Sequence, residues 1–343
     1  MNAVLNYPLG EPPEPGTSKP VAAGLRWLRM PLPLALDHIN LWLLEDGDGW
    51  TVVDTGFGTA HTKALWERVF QEDMGGRPLK RVLVTHYHPD HAGLAAWLAE
   101  RFGIEVWMSP GEFDHAHHHY TRSDSSMASG VVGLFRYHGL DQENAAALEE
   151  RGNAYRQVVD GLPDAYRPVH EGDIITIGAR GWQVIIGRGH CPEHVCLYCA
   201  EDGLLISGDQ VLPRITSNIS ANPEAPERDP LADFLASLDT LDQLPEDVRV
   251  LPSHGKVFEG LHARIAFLRE HHLDRLDALV DFCTEARTAF ECLPVLFDRE
   301  LNPHTMMFAM GECIAHLQHL VATGRLVVGD GDADGRARFR VPG

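Results

Sequence analysis

The sequence predicts a layered α/β fold followed by a smaller, mainly helical domain. Three observations carry this. Strand-like and helix-like segments alternate from residue 39 to 110. A second set of strands, separated by turns, runs from 173 to 255. Beyond residue 261 the pattern is helical until a closing hairpin.

The first elements follow in order. "INLWLLEDGDGWTVVDTG" (39–56) reads as a hairpin, because two apolar runs flank Asp-Gly pairs that form tight turns. "TAHTKALWERVFQEDMGG" (59–76) has helical periodicity and stops at a glycine pair. "LKRVLVTH" (79–86) is a short β-branched strand, "DHAGLAAWLAERFG" (90–103) an amphipathic helix and "IEVWMSP" (104–110) another strand. Residues 111–168 are polar and mostly helical, and read as an insertion. "DIITIG" (173–178), "GWQVIIGRGH" (181–190), "HVCLYCAEDGLLISGDQV" (194–211) and "VRVLPSHG" (248–255) are strands, with a helix at 229–245. A long amphipathic helix (261–286), two shorter helical patterns (288–300 and 304–323) and a hairpin (324–341) close the chain. The expected division is an N-terminal arm (1–24), a catalytic domain (25–265) and a C-terminal domain (266–343), with the change of character near 265–285.

With 343 residues, 44% of them hydrophobic, the chain can bury a large core. It has no run of 18 apolar residues and no basic start with an apolar stretch behind it. Six cysteines do not make a disulfide framework. The expectation is a cytoplasmic protein away from membranes. Asp and Glu outnumber Lys and Arg by 49 to 29, a formal charge of −20, which opposes contact with phosphate backbones. The 20 histidines are the unusual feature, and many are clustered.

"VTHYHPDHAG" (84–93) places His86, His88, Asp90 and His91 within six positions. In extended chain alternate side chains share a face, so His86 and His88 point together, while Asp90 and His91 start the next helix facing elsewhere. Three later turns, each after a predicted strand, add His190 in "GRGHCPEH", Asp209 in "ISGDQV" and His254 in "PSHGKV". Five histidines and two aspartates suit two divalent ions. Zinc is the usual choice for such ligands, and iron and manganese also suit them.

These residues resemble the metallo-β-lactamase superfamily. "THYHPDHAG" matches its HxHxDH signature, and Asp54 in "VVDTG", His190, Asp209 and His254 fall in order on its other motifs. The resemblance covers about residues 25 to 265 and implies an αββα sandwich with the metal site at one edge. It further implies that His86, His88 and His190 hold one ion, that Asp90, His91 and His254 hold a second, and that Asp209 bridges them. Asp54 matches a position that supports the ligands by hydrogen bonds, and His194 a position that is usually not a ligand. The implied chemistry is attack of a metal-bridging hydroxide on an acyl carbon of a small-molecule thioester, ester or lactone, with Asp90 orienting the nucleophile. True β-lactamases of the superfamily generally lack the bridging aspartate, which argues against β-lactams. The whole chain resembles the bacterial members that carry a C-terminal winged helix.

The sequence leaves other readings open. The same fold supports endoribonucleases and phosphodiesterases, and a winged helix can bind DNA through 304–323 and the wing 324–341. The wing tip "GDGDADG" and a candidate recognition helix without Lys or Arg oppose DNA binding. Apolar residues in that helix leave room for a homodimer. His115 and His117 to His119 offer either a third metal site or a polar helix edge, and the edge is preferred. Phe113, Tyr120 and Phe135 in the insertion, and the loop 214–230, are candidate substrate walls. Cys196 and Cys199 fall on opposite faces of one strand and read as small buried residues.

Overall fold

The computed structural model describes residues 5–329 and 335–343. The aspartates of the expected wing tip (330–334) lie outside the described residues. In chain order the elements are β1 Ser18–Ala22, β2 Leu25–Pro31, β3 His38–Asp46, β4 Gly49–Val53, α1 Ala60–Glu72, β5 Leu79–Leu83, α2 Pro89–Ala92, α3 Ala95–Phe102, β6 Val106–Met108 and α4 Pro110–Thr121. Then follow α5 Asp124–Tyr137, α6 Gln142–Glu150, α7 Ala154–Val158, β7 Arg167–Pro168, β8 Ile174–Ile177, β9 Arg180–Gly187, β10 His194–Cys199 and β11 Leu204–Gly208. The chain closes with α8 Pro230–Leu241, β12 Arg249–Pro252, β13 Phe258–Glu259, α9 Leu261–Phe282, α10 Ala289–Leu296, α11 Pro303–Ala322, β14 Val327–Gly329 and β15 Arg338–Arg340.

By its contacts the chain divides into two units. The first comprises 1–121, 154–217 and 241–265, and the second 122–153, 218–240 and 266–343. The second unit is therefore larger than a tail starting at 266. The insertion 111–168 is also not one body: α4 and α7 pack with the first unit, α5 and α6 with the second. Helical periodicity looks alike on either side of that division, so the sequence did not show it.

The first unit is a sandwich of two sheets. One has seven strands in the order β1 to β7, the other six in the order β13-β12-β11-β10-β9-β8. Their inner faces share one core, in which Trp27, Trp42, Val53 and Leu83 meet Trp182, Val184, Leu197 and Ile206. Trp27 and Trp42 are register partners, stacked with ring centroids 6.1 Å apart. The outer face of the seven-stranded sheet buries Leu41, Val52 and Val82 against Trp66, Val69, Phe70 and Leu98 of α1 and α3. Strand alternation and the helical spacing of Trp66, Val69 and Phe70 thus produce two apolar layers.

Two local outcomes differ from the sequence reading. The expected arm contains β1, which pairs antiparallel with β2 and buries Val21. The expected helix 90–103 is two helices, because Gly93 stands against the backbone of Gly58, leaving no room for a Cβ, and its carbonyl accepts from Asp160 N at 2.8 Å. Of the candidate substrate walls, Phe113 stacks on Tyr166 in the first unit and Phe135 is buried in the second. Cys196 and Cys199 are both buried in β10. In the second unit α10 and α11 precede the antiparallel pair β14–β15. Among the described residues, no helix is long and apolar enough to cross a membrane.

Candidate metal centre

The histidines and aspartates converge because parallel neighbours end together. β4 and β5 run parallel, so Asp54 and the segment Val84–His86 leave the sheet at the same end. β11 and β12 are also parallel, with Gly208 beside Pro252, which brings Asp209 alongside Ser253–His254. His190 lies in the turn between β9 and β10, and Val195 N donates to Thr85 O at 2.8 Å, tying that turn to the first sheet. Binding residues at such strand ends are the usual outcome in layered α/β folds.

Two groups of donors result: His86, His88, His190 and Asp209, and Asp90, His91 and His254. In the first, His86 Nε2 lies 2.8 Å from His88 Nδ1 and 3.3 Å from His190 Nε2, and His190 Nε2 is 3.6 Å from Asp209 Oδ2. In the second, His91 Nε2 is 3.6 Å from Asp90 Oδ2 and 3.6 Å from Asp209 Oδ1. His254 Nε2 is 3.4 Å from Asp90 Oδ2 and 3.3 Å from Asp209 Oδ1. Asp209 therefore turns one oxygen to each group. Ligands bound tetrahedrally at about 2.0–2.2 Å from one ion stand roughly 3.3–3.6 Å from each other, which matches the separations above except His86 to His88, which stand closer at 2.8 Å. His91 Nε2 and Asp209 Oδ1 are buried without a hydrogen-bond partner, a costly state that a cation would relieve. The residues fit divalent metal.

The other nitrogens and oxygens orient these donors. His91 Nδ1 donates to Asp54 Oδ2 at 2.8 Å, which leaves Nε2 as the free donor. Asp54 also accepts from Thr85 N at 2.8 Å and from the Thr85 hydroxyl, which in turn sits 3.0 Å from His86 Nδ1. Asp54 has φ 62°, a left-handed conformation that is strained for most side chains and found where surrounding contacts enforce it. His254 Nδ1 donates to His38 O at 2.8 Å. His194 does not face the donors with its ring nitrogens; its Nε2 accepts from Asp209 N at 3.0 Å.

Electrostatics separates the two groups. Burial, then the neighbouring histidines, hold His86 and His88 well below the usual imidazole range, so they stay neutral with lone pairs available. Burial would depress His91 too, but Asp54, Asp90 and Asp209 outweigh it and raise it well above that range. His254 is raised in the same way, with Asp209 the main opponent of burial. Burial pushes His194 down to about 3, which keeps its accepting Nε2 unprotonated.

Three contributors had no visible signal in the sequence. Thr85 links Asp54 to the histidines. His38 accepts from Gly255 N at 2.8 Å through Nε2 and from His254 through its carbonyl. Glu112 is fully buried, accepts two backbone N–H groups beside the site, and is pushed up by burial to about 7. Of the α4 histidines, His115 meets the Gly111 carbonyl and His117 the Pro163 carbonyl, while His119 stacks on Tyr87 with centroids 5.0 Å apart.

Comparison with known proteins agrees with this geometry. The family model of the metallo-beta-lactamase superfamily matches residues 34–254. The chain belongs to the metallo-β-lactamase superfamily. A second model, the metallo-beta-lactamase-like C-terminal domain, matches 276–342. The crystal structure of a beta-lactamase domain protein from Burkholderia ambifaria superposes with a TM-score of 0.91 at 43% identity, covering 98% of each chain. A "probable metallo-hydrolase" of Bacillus subtilis, YqjP, is 26% identical, covering 86% of this chain and 91% of its own. A hydroxyacylglutathione hydrolase of Rhodobacter capsulatus is 27% identical, covering 80% and 84%. Within the superfamily the chain is of hydrolase type.

Proposed function

We propose that this superfamily member is a dinuclear metal hydrolase that acts at the acyl carbon of a thioester, ester or lactone. The observation that carries the reading is Asp209, which presents Oδ1 to one donor group and Oδ2 to the other at ligand spacing. His86, His88 and His190 would hold one ion, Asp90, His91 and His254 the other. The imidazole-rich set favours zinc. Likeness to a hydroxyacylglutathione hydrolase favours a thioester among the candidate bonds.

Divalent ions held there would supply a water acidified from about 15.7 toward ~7 and Lewis acidity for the carbonyl oxygen. The protein's part is to place and orient. Asp54 fixes the His91 tautomer, and His38 fixes that of His254. Asp90, less buried than the histidines around it, is positioned to orient the attacking water and accept its proton. His194, neutral, holds the peptide N–H of Asp209 and so aims the shared carboxylate.

The test is metal content by elemental analysis together with turnover of thioester, lactone, β-lactam and phosphodiester substrates. About two ions per chain with acyl-substrate turnover is the expected result. His88→Ala and Asp209→Ala should each lose metal and hydrolysis while remaining folded by circular dichroism. Full activity and full metal content in either variant would overturn the ligand assignment. Turnover of the phosphodiester alone would move the reading to a nuclease.

A further inference from the structure

The geometry points to Glu112 as a positioning residue, a single buried carboxylate that clasps the His86–His88 segment to the His190 turn and so sets the first donor group. This rests on the ligand assignment proposed above.

Glu112 lies in the first turn of α4 and is wholly shielded from solvent. Its Oε2 accepts from Tyr87 N at 2.9 Å, and its Oε1 accepts from Glu193 N at 2.6 Å. Tyr87 stands between His86 and His88, and Glu193 between His190 and His194, so one side chain holds both ligand-bearing loops by their backbones. The attachments are doubled on each side. Tyr155 O–H donates to Tyr87 O at 2.7 Å, so both peptide groups of Tyr87 are fixed. Glu193 answers Glu112 by accepting from Gly111 N at 2.7 Å, and Ser109 Oγ donates to Glu193 O at 2.7 Å.

A carboxylate is a poor choice for merely filling a buried space, because desolvating it is costly. What it alone offers here is two acceptors for two N–H donors that arrive from different segments. Glutamine offers one acceptor and one donor, and an apolar residue neither. The requirement for two acceptors at this point matches the requirement that His190 stay at ligand distance from His86. Donors displaced by a fraction of an ångström no longer fit one ion.

The decisive experiment titrates metal-free protein with zinc against a chromophoric chelator, for wild type, Glu112→Gln and Glu112→Ala, beside thermal melts of the same metal-free samples. Wild type should show two tight sites. Glu112→Gln should keep one near wild-type affinity and weaken the other by roughly 10–100-fold, as is usual for residues that orient ligands. Its metal-free melt should fall only slightly, because removing a buried charge offsets the one backbone N–H left facing an NH2. Glu112→Ala, which offers no acceptor, should weaken the same site more. That order of Glu, Gln and Ala would not follow from a general loss of stability. Two sites of wild-type affinity in Glu112→Gln would overturn the clasp alone, whereas wild-type protein binding no zinc would overturn the ligand assignment and the clasp with it. Should Glu112→Gln fail to fold, Glu112→Asp decides. It keeps the charge and both acceptors but is one methylene too short to reach both N–H groups, and should weaken the same site; wild-type affinity there would overturn the clasp.

Discussion

Replacing Asp54 by asparagine isolates the orienting function of one carboxylate. Both oxygens of Asp54 accept from fixed donors, Thr85 N at 2.8 Å on Oδ1 and His91 Nδ1 at 2.8 Å on Oδ2. Asparagine tolerates left-handed backbone, so the conformation at φ 62° is retained. Its amide, however, has one oxygen, and in either orientation an NH2 opposes an N–H. The Thr85 donor belongs to the backbone and cannot change. The imidazole can, by moving its proton from Nδ1 to Nε2, and the NH2 should therefore face His91. Nε2, the atom turned toward Asp90 and Asp209, would then carry the proton and cease to be a donor for metal. A hydrogen bond to a charged group contributes about 1.5–3 kcal/mol, and at about 1.4 kcal/mol per factor of ten this corresponds to roughly 10–140-fold in affinity. Chelator competition on metal-free Asp54→Asn should show that loss at one site, with the far-ultraviolet dichroism unchanged. Retention of wild-type affinity at both sites would refute the tautomer argument. Loss of the fold at neutral pH would show that Asp54 is needed for assembly rather than for orientation.

Two further outcomes are expected. Gly208 has φ 52°, and a Cβ there would overlap the His194 ring that receives Asp209 N–H, so Gly208→Ala should cost at least about 1–2 kcal/mol from backbone conformation alone; a lower denaturation midpoint with reduced metal content is the expected readout, and wild-type values for both would refute the packing. His138, buried in the second unit and stacked on Phe339 at 5.7 Å, is pushed down by burial to about 4, against about 6.5 unfolded, so the unfolded chain binds more protons between those values and stability is lost as pH falls through that window, by up to ~3 kcal/mol near pH 4. His138→Gln should remove that part of the pH dependence in denaturant melts, and an unchanged slope would exclude the residue as its source.

The parts of the fold legible in the sequence were those governed by neighbours along the chain. The hairpin of β3 and β4 announces itself by Asp-Gly pairs between apolar runs, and α1 by helical spacing that stops at a glycine pair. Elements whose cause lies elsewhere were hidden. β1 sits in a stretch rich in proline and glycine and is a strand because β2 supplies its partner. The break at Gly93 reads as a tolerated glycine inside a helix until the backbone of Gly58 occupies the space where a Cβ would stand.

The same division runs through the site and has a physical cause. Metal donors must be imidazoles or carboxylates, and a strand-to-helix turn fixes their spacing, so His86, His88, Asp90 and His91 form a pattern that survives without any coordinates. The groups that hold those donors in place bind mostly to the backbone. Glu112 meets Tyr87 N and Glu193 N, His38 meets Gly255 N, and His194 meets Asp209 N. Every residue except proline carries that N–H, so the partner places no constraint on sequence and leaves no motif. Burial supplies what spacing cannot: Glu112 and His194 are fully enclosed polar side chains, a state tolerated only with hydrogen-bond partners. A buried acid or imidazole whose partners are the backbones of two ligand loops is thus a positioning residue by the same reasoning that makes a buried imidazole with a free nitrogen a ligand. The two classes should separate in experiment. Ligand substitutions remove an ion, whereas clasp substitutions weaken its affinity and leave the donors present.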